Sequence, residues 1–222
     1  GESIVGPRSR CPGCGAQIAA YDNVPVLSWL LLRGRARCCG TRISARYPLT
    51  ELTLAALYAL TVAVLWDEPG EIALGLIFVT ALLAVTLTDL ERRIIPNKIL
   101  AVASLLGVAV VAVTDPGSLP ERAAAAAAAG GLLFAAALAY PRGMGLGDVK
   151  LAATMGLFLG RDVAPAIFVA LVAGSLVGLA MMARHGAAAR KRAIPFGPFL
   201  AFGGLVGLLA GGPLVDWYLG TF

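Results

Sequence analysis

Long apolar runs, one after another, leave this chain few folds to adopt. Seven of them span about residues 49–66, 72–88, 98–114, 121–140, 148–160, 163–183 and 197–215. Crossing a hydrocarbon core of about 30 Å takes roughly 20 helical residues. Inside that core every backbone N–H and C=O must find a partner within the protein, which a helix provides by itself. The expected fold is therefore an all-α integral membrane protein, a polytopic bundle of about seven transmembrane helices. The fifth run is short. It reads as a broken or half-spanning segment, tolerated only where protein or water covers its backbone. Composition agrees, with 59% hydrophobic residues, 14% charged residues and a mean hydropathy of +0.83, well beyond what a soluble domain of this length needs.

Charge placement sets the expected orientation. With the N-terminal region in the cytoplasm, seven spans put residues 1–48, 89–97, 141–147 and 184–196 inside. Counting helix ends with their nearer loop, sixteen of the eighteen Lys and Arg fall on the inner side, and only Arg122 and Arg161 fall outside. Asp67, Glu68, Glu71, Asp115, Glu121, Asp162 and Asp216 gather outside. This is the positive-inside pattern. The net charge of +5 is thus a record of topology, with exposed arginines meeting anionic lipid, and it gives no reason to expect nucleic acid as a partner.

Two aspartates stand out against this apolar background. Asp89 follows the run Glu71–Thr88, and Asp148 follows three glycines in G-M-G-L-G-D-V-K. A carboxylate at a bilayer boundary is costly and usually faces a bundle interior or a watery site. Both fall at the cytoplasmic boundary, which fits a paired-carboxylate site. Such a pair hydrolyses a peptide when one member is ionised and activates water while the other is protonated and polarises the carbonyl. Like charges a few ångströms apart produce that state unaided. Arg92 and Arg93 favour charge on Asp89, a helix N-terminus favours charge on Asp148, and the residues alone do not assign the proton. Gly145 and Gly147 leave room for a substrate backbone. Taken singly, Asp148 reads as a helix cap and Asp89 as an interfacial partner of Arg92.

Residues 1–48 are a different kind of chain: polar, Arg-rich, punctuated by Pro and Gly, and holding all four cysteines. C-P-G-C at 11–14 and R-C-C-G at 37–40 suggest a small zinc knuckle, because zinc favours four tetrahedral thiolates from two C-x-x-C turns. The second half departs from that pattern, since Cys38 and Cys39 are adjacent and neighbouring cysteines rarely both ligate one ion. The competing reading is a loop of reduced cytosolic thiols. The sequence opens on Gly1 rather than methionine and on no signal peptide. Either something has been removed or it begins inside a longer protein.

Seven collinear motifs carry a resemblance. R-C-P-x-C, Y-D-N-x-P-x-x-S, L-R-G-R, I-S-x-R-Y-P-x-x-E, D-x-x-x-x-x-I-P-N, G-x-G-D-V-K and I-P-F-G-P-F-L follow in order over nearly the whole chain. Together they resemble the type IV prepilin peptidases, integral-membrane aspartyl proteases of the G-x-G-D kind. The resemblance implies a multi-pass protein of the cytoplasmic (inner) membrane that cleaves the leader from prepilins and pseudopilins at the cytoplasmic face. In many bacterial members methylation of the new N-terminus by S-adenosylmethionine follows. The catalytic pair falls on Asp89 and Asp148, with Gly145, Gly147, Lys150, Pro195 and Gly197 as supporting residues, and the peptidase itself needs no cofactor. The organisation becomes a cytoplasmic cysteine region, 1–48, and a transmembrane peptidase domain, 49–222. Where the family usually reads C-R-x-C, this chain has Ala36-Arg37-Cys38-Cys39. Cys11, Cys14 and Cys39 therefore match ligand positions, Ala36 replaces the fourth, and Cys38 is left to close the metal site or leave it open. Family members also carry a hydrophobic helix before the cysteines, which implies eight helices in the full-length protein.

The rival function is a transporter or channel using Asp89 and Asp148 as ion or proton sites. Transporters favour inverted repeats and polar groups at the midplane, and neither is evident. A third reading, a membrane-tethered zinc ribbon on nucleic acid, leaves the helices unexplained. Glu51, at the start of a span, reads equally as functional or interfacial. His185 reads as solvated in a basic loop. Ala123–Ala129, Gly174, Gly178, Gly203 and Gly207 suit close helix contacts.

Overall fold

The computed structural model describes residues 10–140, 144–186 and 195–220, except for the side chains of His185, Tyr218 and Leu219. The expected solvation of His185 and the basic stretch 187–194 fall outside those residues. The chain divides into two compact units, Gly1–Ala59 and Leu60–Phe222. Among the described residues there is no β-strand. The helices are α1 (Leu27–Leu31), α2 (Arg46–Val64), α3 (Pro69–Arg92), α4 (Asn97–Thr114), α5 (Leu119–Ala139), α6 (Leu146–Leu159), α7 (Val163–His185) and α8 (Gly197–Leu219). Among the described residues six stretches are long and apolar enough to cross a membrane, and one of them, Leu146–Arg184, holds both α6 and α7, which a turn at Gly160 with positive φ separates. The protein is a multi-pass membrane protein.

The helix limits follow from local chemistry. Pro69 opens α3 at a position where its missing N–H costs nothing. Pro96 stands immediately before α4 in extended conformation. Pro120 and Glu121 occupy the first turn of α5, where a carboxylate complements the dipole. The extent of α6 is set differently. Its 14 residues rise only about 21 Å at 1.5 Å per residue, short of the bilayer core. Its last carbonyls therefore need a partner other than water. Arg122 of α5 supplies one. Its guanidinium donates to the Phe158 carbonyl at 2.5 Å and to Ser118 Oγ at 3.1 Å, and it pairs with Glu71 of α3.

This short helix is also the core of its unit. Leu151, Ala152, Met155 and Phe158 are almost fully buried, against Phe78, Leu82 and Val85 of α3 and Leu200 of α8. Phe78 and Phe158 stack with ring centroids 4.9 Å apart. Small residues allow the approach: a Cβ at Gly156 would meet the Ala125 carbonyl oxygen of α5 at 2.5 Å, and one at Gly203 of α8 the Ala166 carbonyl oxygen of α7 at 2.2 Å. Gly178 differs from the expectation for it, because it faces open space.

Gly156→Ala should thus destabilise the protein by roughly 1–3 kcal/mol, because the obstacle is backbone and cannot rotate away. Gly131→Ala, directed into open space, should be neutral or stabilising. Thermal unfolding in detergent micelles compares the two, and equal midpoints would show that α5 yields.

Candidate active site

Helix ends bring the two carboxylates to one place. Asp89 lies in the last turn of α3 and is 6% exposed; Asp148 is the third residue of α6 and is 9% exposed. Both line a cavity of about 350 Å³ with Arg93, Ile94, Ile95, Asn97, Gly145, Gly147, Pro195 and Phe196. α3 stops there because Arg93 turns left-handed, at φ 54° and ψ 40°, and its N–H closes on the Asp89 carbonyl at 2.9 Å. An arginine held in that conformation costs of order 1 kcal/mol or more, and such strain concentrates at functional sites.

Each carboxylate has one oxygen fixed by a glycine N–H. Gly145 donates to Asp148 Oδ2 at 3.2 Å, while the Asp148 N–H returns to the Gly145 carbonyl at 3.1 Å. This is the acidic half of a capping box. Gly197, the first residue of α8, donates to Asp89 Oδ2 at 3.0 Å. The donors of that first turn are all allocated. Pro198 has none, and the N–H groups of Phe199 and Leu200 both go to the Phe196 carbonyl, at 3.0 and 3.1 Å. Gly197 also has to be small, since a Cβ there would sit 2.7 Å from Asp89 Oδ2.

Of the other residues singled out from the sequence, Gly145, Gly147 and Pro195 line the cavity. Lys150 does not. Its ammonium reaches Asn97 Oδ1 at 3.0 Å and so fixes a residue that does. Asn97 and Phe196 were not singled out. Both sit inside motifs already recognised, but no spacing rule says which motif residues turn toward the carboxylates. Glu51 lies elsewhere: in the first unit its Oε2 accepts the Val26 N–H at 2.7 Å.

The cysteines form a second cluster, within the first unit. Two turns repeat one another. In the first, the Cys11 N–H bonds the Ala16 carbonyl and the Gly15 N–H bonds Cys11; in the second, Ala36 bonds Thr41 and Gly40 bonds Ala36, at 2.8–2.9 Å throughout. Gly15 and Gly40 take the same left-handed φ, 71° and 69°, which only glycine adopts freely. Cys11 and Cys14 thus correspond to Ala36 and Cys39. The missing thiol is replaced by Cys38, and all four Sγ atoms lie within 4.8 Å of one another. Their closest approaches are 3.3, 3.5 and 3.8 Å. A tetrahedral zinc with bonds of about 2.3 Å holds its sulfurs about 3.8 Å apart, so the set fits the ion. The adjacency of Cys38 and Cys39 is no obstacle, because neither needs a positive φ. Hydrogen bonds from the Thr41 hydroxyl and N–H bring the Cys39 thiol down to about 6, while those to Cys14 and Cys11 push Cys38 up to about 12.

A helical membrane frame with paired carboxylates beside a glycine turn is the setting in which known families become informative. Residues 1–65 match the bacterial peptidase A24 N-terminal domain, and residues 76–182 match the type IV leader peptidase family. A protein of Aeromonas hydrophila described as prepilin leader peptidase/N-methyltransferase is 36% identical over 99% of this chain and 77% of its own. Proteins of that description from Burkholderia pseudomallei (strain 1026b) and Bacillus subtilis (strain 168) are 39% and 33% identical, over 93% and 98% of this chain and 68% and 87% of theirs. No solved structure matches significantly. The chain belongs to the type IV leader peptidase family. That membership favours a peptidase over the transporter or channel reading.

Asp148→Asn keeps an acceptor for the Gly145 N–H and should unfold at the temperature of the unaltered protein. Asp148→Leu loses the acceptor and should cost about 1 kcal/mol. Thermal unfolding in detergent separates the two, and indistinguishable midpoints would mean that the Gly145 bond does not hold α6.

Proposed function

We propose that this chain is an aspartic endopeptidase that removes the leader from type IV prepilins and pseudopilins at the cytoplasmic membrane face. The observation that carries the proposal is the placing of Asp89 and Asp148 on one cavity, each buried and each with a single oxygen engaged by a glycine N–H. One oxygen of each carboxylate remains for chemistry. Hydrolysis by such a pair uses one carboxylate as base and the other, protonated, as acid. The ionised member takes a proton from water as the oxygen attacks the scissile carbonyl. The protonated member gives its proton to the carbonyl oxygen. As the tetrahedral diol collapses, the carboxyl that took the proton from water gives it to the departing amine, a diol hydroxyl gives its proton to the other carboxylate, and the pair again holds one proton. A Cβ at Gly147 would stand 3.0 Å from Ile95 Cβ, so a larger residue there would crowd the cavity wall against which an extended peptide would lie.

The placing of all but two lysines and arginines on one side of the spans supports the inner membrane as the location and the cytoplasm as the side of the cavity. The relatives' names pair the peptidase with an N-methyltransferase. Our reading therefore includes methylation of the freed amine by S-adenosylmethionine, to which no described residue is assigned.

The cysteine cluster is read as a zinc site held by Cys11, Cys14, Cys38 and Cys39. When bound, zinc supplies a cross-link between two turns too small to have a core of their own. Purified protein should carry one zinc per chain. Cys38→Ser should lose it, and adding Ala36→Cys to that variant should restore it, with peptidase activity nearly unchanged throughout. Metal analysis decides, and full zinc in Cys38→Ser would remove Cys38 from the site.

For the peptidase, Asp89→Asn and Asp148→Asn should each lower turnover by about 100- to 10,000-fold while the protein still inserts. Gly197→Ala, which displaces the Asp89 carboxylate, should lower it by about tenfold or more, the worth of a hydrogen bond to a charged group. Gly212→Ala, in the same helix but facing open space, should leave it unchanged. Cleavage of a prepilin leader peptide by the reconstituted protein, followed by mass spectrometry, is the measurement. Near-normal turnover in either aspartate variant would sink the reading.

A further inference from the structure

We propose that α1 and the turn before it form a wedge that inserts into the anionic lipid headgroup layer where α2 enters the membrane. The inner face of α1 is pinned. Ser28 Oγ donates to the Tyr21 carbonyl at 3.0 Å and accepts the Val24 N–H at 3.1 Å, and Trp29 Nε1 donates to the Ile43 carbonyl at 3.0 Å. The opposite face holds Leu27, Leu30 and Leu31, exposed by 53%, 58% and 73%. Their i, i+3, i+4 spacing makes one apolar stripe, which Val24 extends.

A strained residue aims that stripe. Val26 has φ 60° and ψ −52°, an outlier for a β-branched side chain. Its N–H is held by Glu51 Oε2, and Glu51 is the sixth residue of α2, which begins at Arg46. The bond fixes α1 within two turns of the start of a membrane span, inside the same compact unit. Strain at one residue persists only where the surroundings enforce it. Here a span-entry carboxylate enforces it, and the result is the presentation of three leucines.

Charge selects the occupant. Residues 10–59 hold six arginines against two acids, Asp22 and Glu51. Asp22 is paired with Arg37 at 2.9 Å and Glu51 is on the Val26 N–H, while Arg33, Arg35 and Arg42 are exposed. An apolar stripe beside arginines, joined to a transmembrane helix, matches the boundary of an anionic bilayer: leucines at the acyl chains and guanidiniums at the phosphates. This wedge is independent of peptide cleavage and would stand if the peptidase reading failed.

The full chain in nanodiscs of phosphatidylcholine and phosphatidylglycerol tests it, with an environment-sensitive fluorescent amino acid replacing Leu31. Lipid brominated near the headgroup end of its chains should quench the probe several-fold, and aqueous iodide should not. Leu27→Glu with Leu30→Glu should reverse both results, with an unchanged cooperative thermal unfolding in detergent confirming that this variant is folded. If it is not, the unaltered background alone decides. Quenching by iodide, as for a solvated probe, would overturn the proposal. Protection from both quenchers would also overturn it, since protein rather than lipid would then cover the stripe.

Discussion

One hydrogen bond joins two helix ends 108 residues apart in sequence, and the geometry of the cavity depends on it. The Gly197 N–H holds Asp89 Oδ2, so the end of α3 and the start of α8 share a carboxylate. Burying that carboxylate in an apolar frame is tolerable only with a donor in place. The frame supplies one from its backbone, which has no rotamers to lose. The requirement runs both ways. α8 needs an acceptor for its one outward-facing first-turn donor, and Asp89 is that acceptor.

Asp148 is positioned by a longer route. It sits at one end of a helix too short to cross the membrane, whose other end is finished by a guanidinium. Arg122, Glu71 and Phe158 lie far along α6 from the cavity, but they fix where that helix stops. An arginine is suited to this, because its planar fork serves a carbonyl, a hydroxyl and a carboxylate together without losing its charge. Core packing around Met155 and Phe158 then sets the height of α6 against α3, and with it the approach of the two aspartates.

Much of this was legible in the sequence. Runs of apolar residues placed every long helix to within a few residues, since solvation of the backbone dictates them. Both aspartates were conspicuous because charge is rare in such a chain. Partnerships were less visible. The pairing of Arg122 with Glu71 links separate helices, and neither residue belongs to a recognisable pattern. Lys150 lies within the G-x-G-D-V-K motif, yet nothing in the letters says that its ammonium turns to Asn97 rather than to the carboxylates. For the cysteines the letters left both outcomes open. Read as spacing, Cys38-Cys39 breaks the C-x-x-C rule. Read as backbone, the two turns are superimposable in their hydrogen bonds, and a thiol two positions along reaches the same cluster.

That last feature bears on how such proteins are found. A search that demands two C-x-x-C pairs would pass over the four-cysteine cluster of this chain. A ligand set, however, is defined by where the sulfur atoms lie, and a turn with fixed backbone bonds offers more than one place from which a side chain can reach the same point. A ligand position can therefore differ along the loop while the sulfur still reaches the same cluster. Catalogues built on residue spacing will undercount sites of this kind, and the undercount will be largest in short turns, where neighbouring side chains differ least in reach.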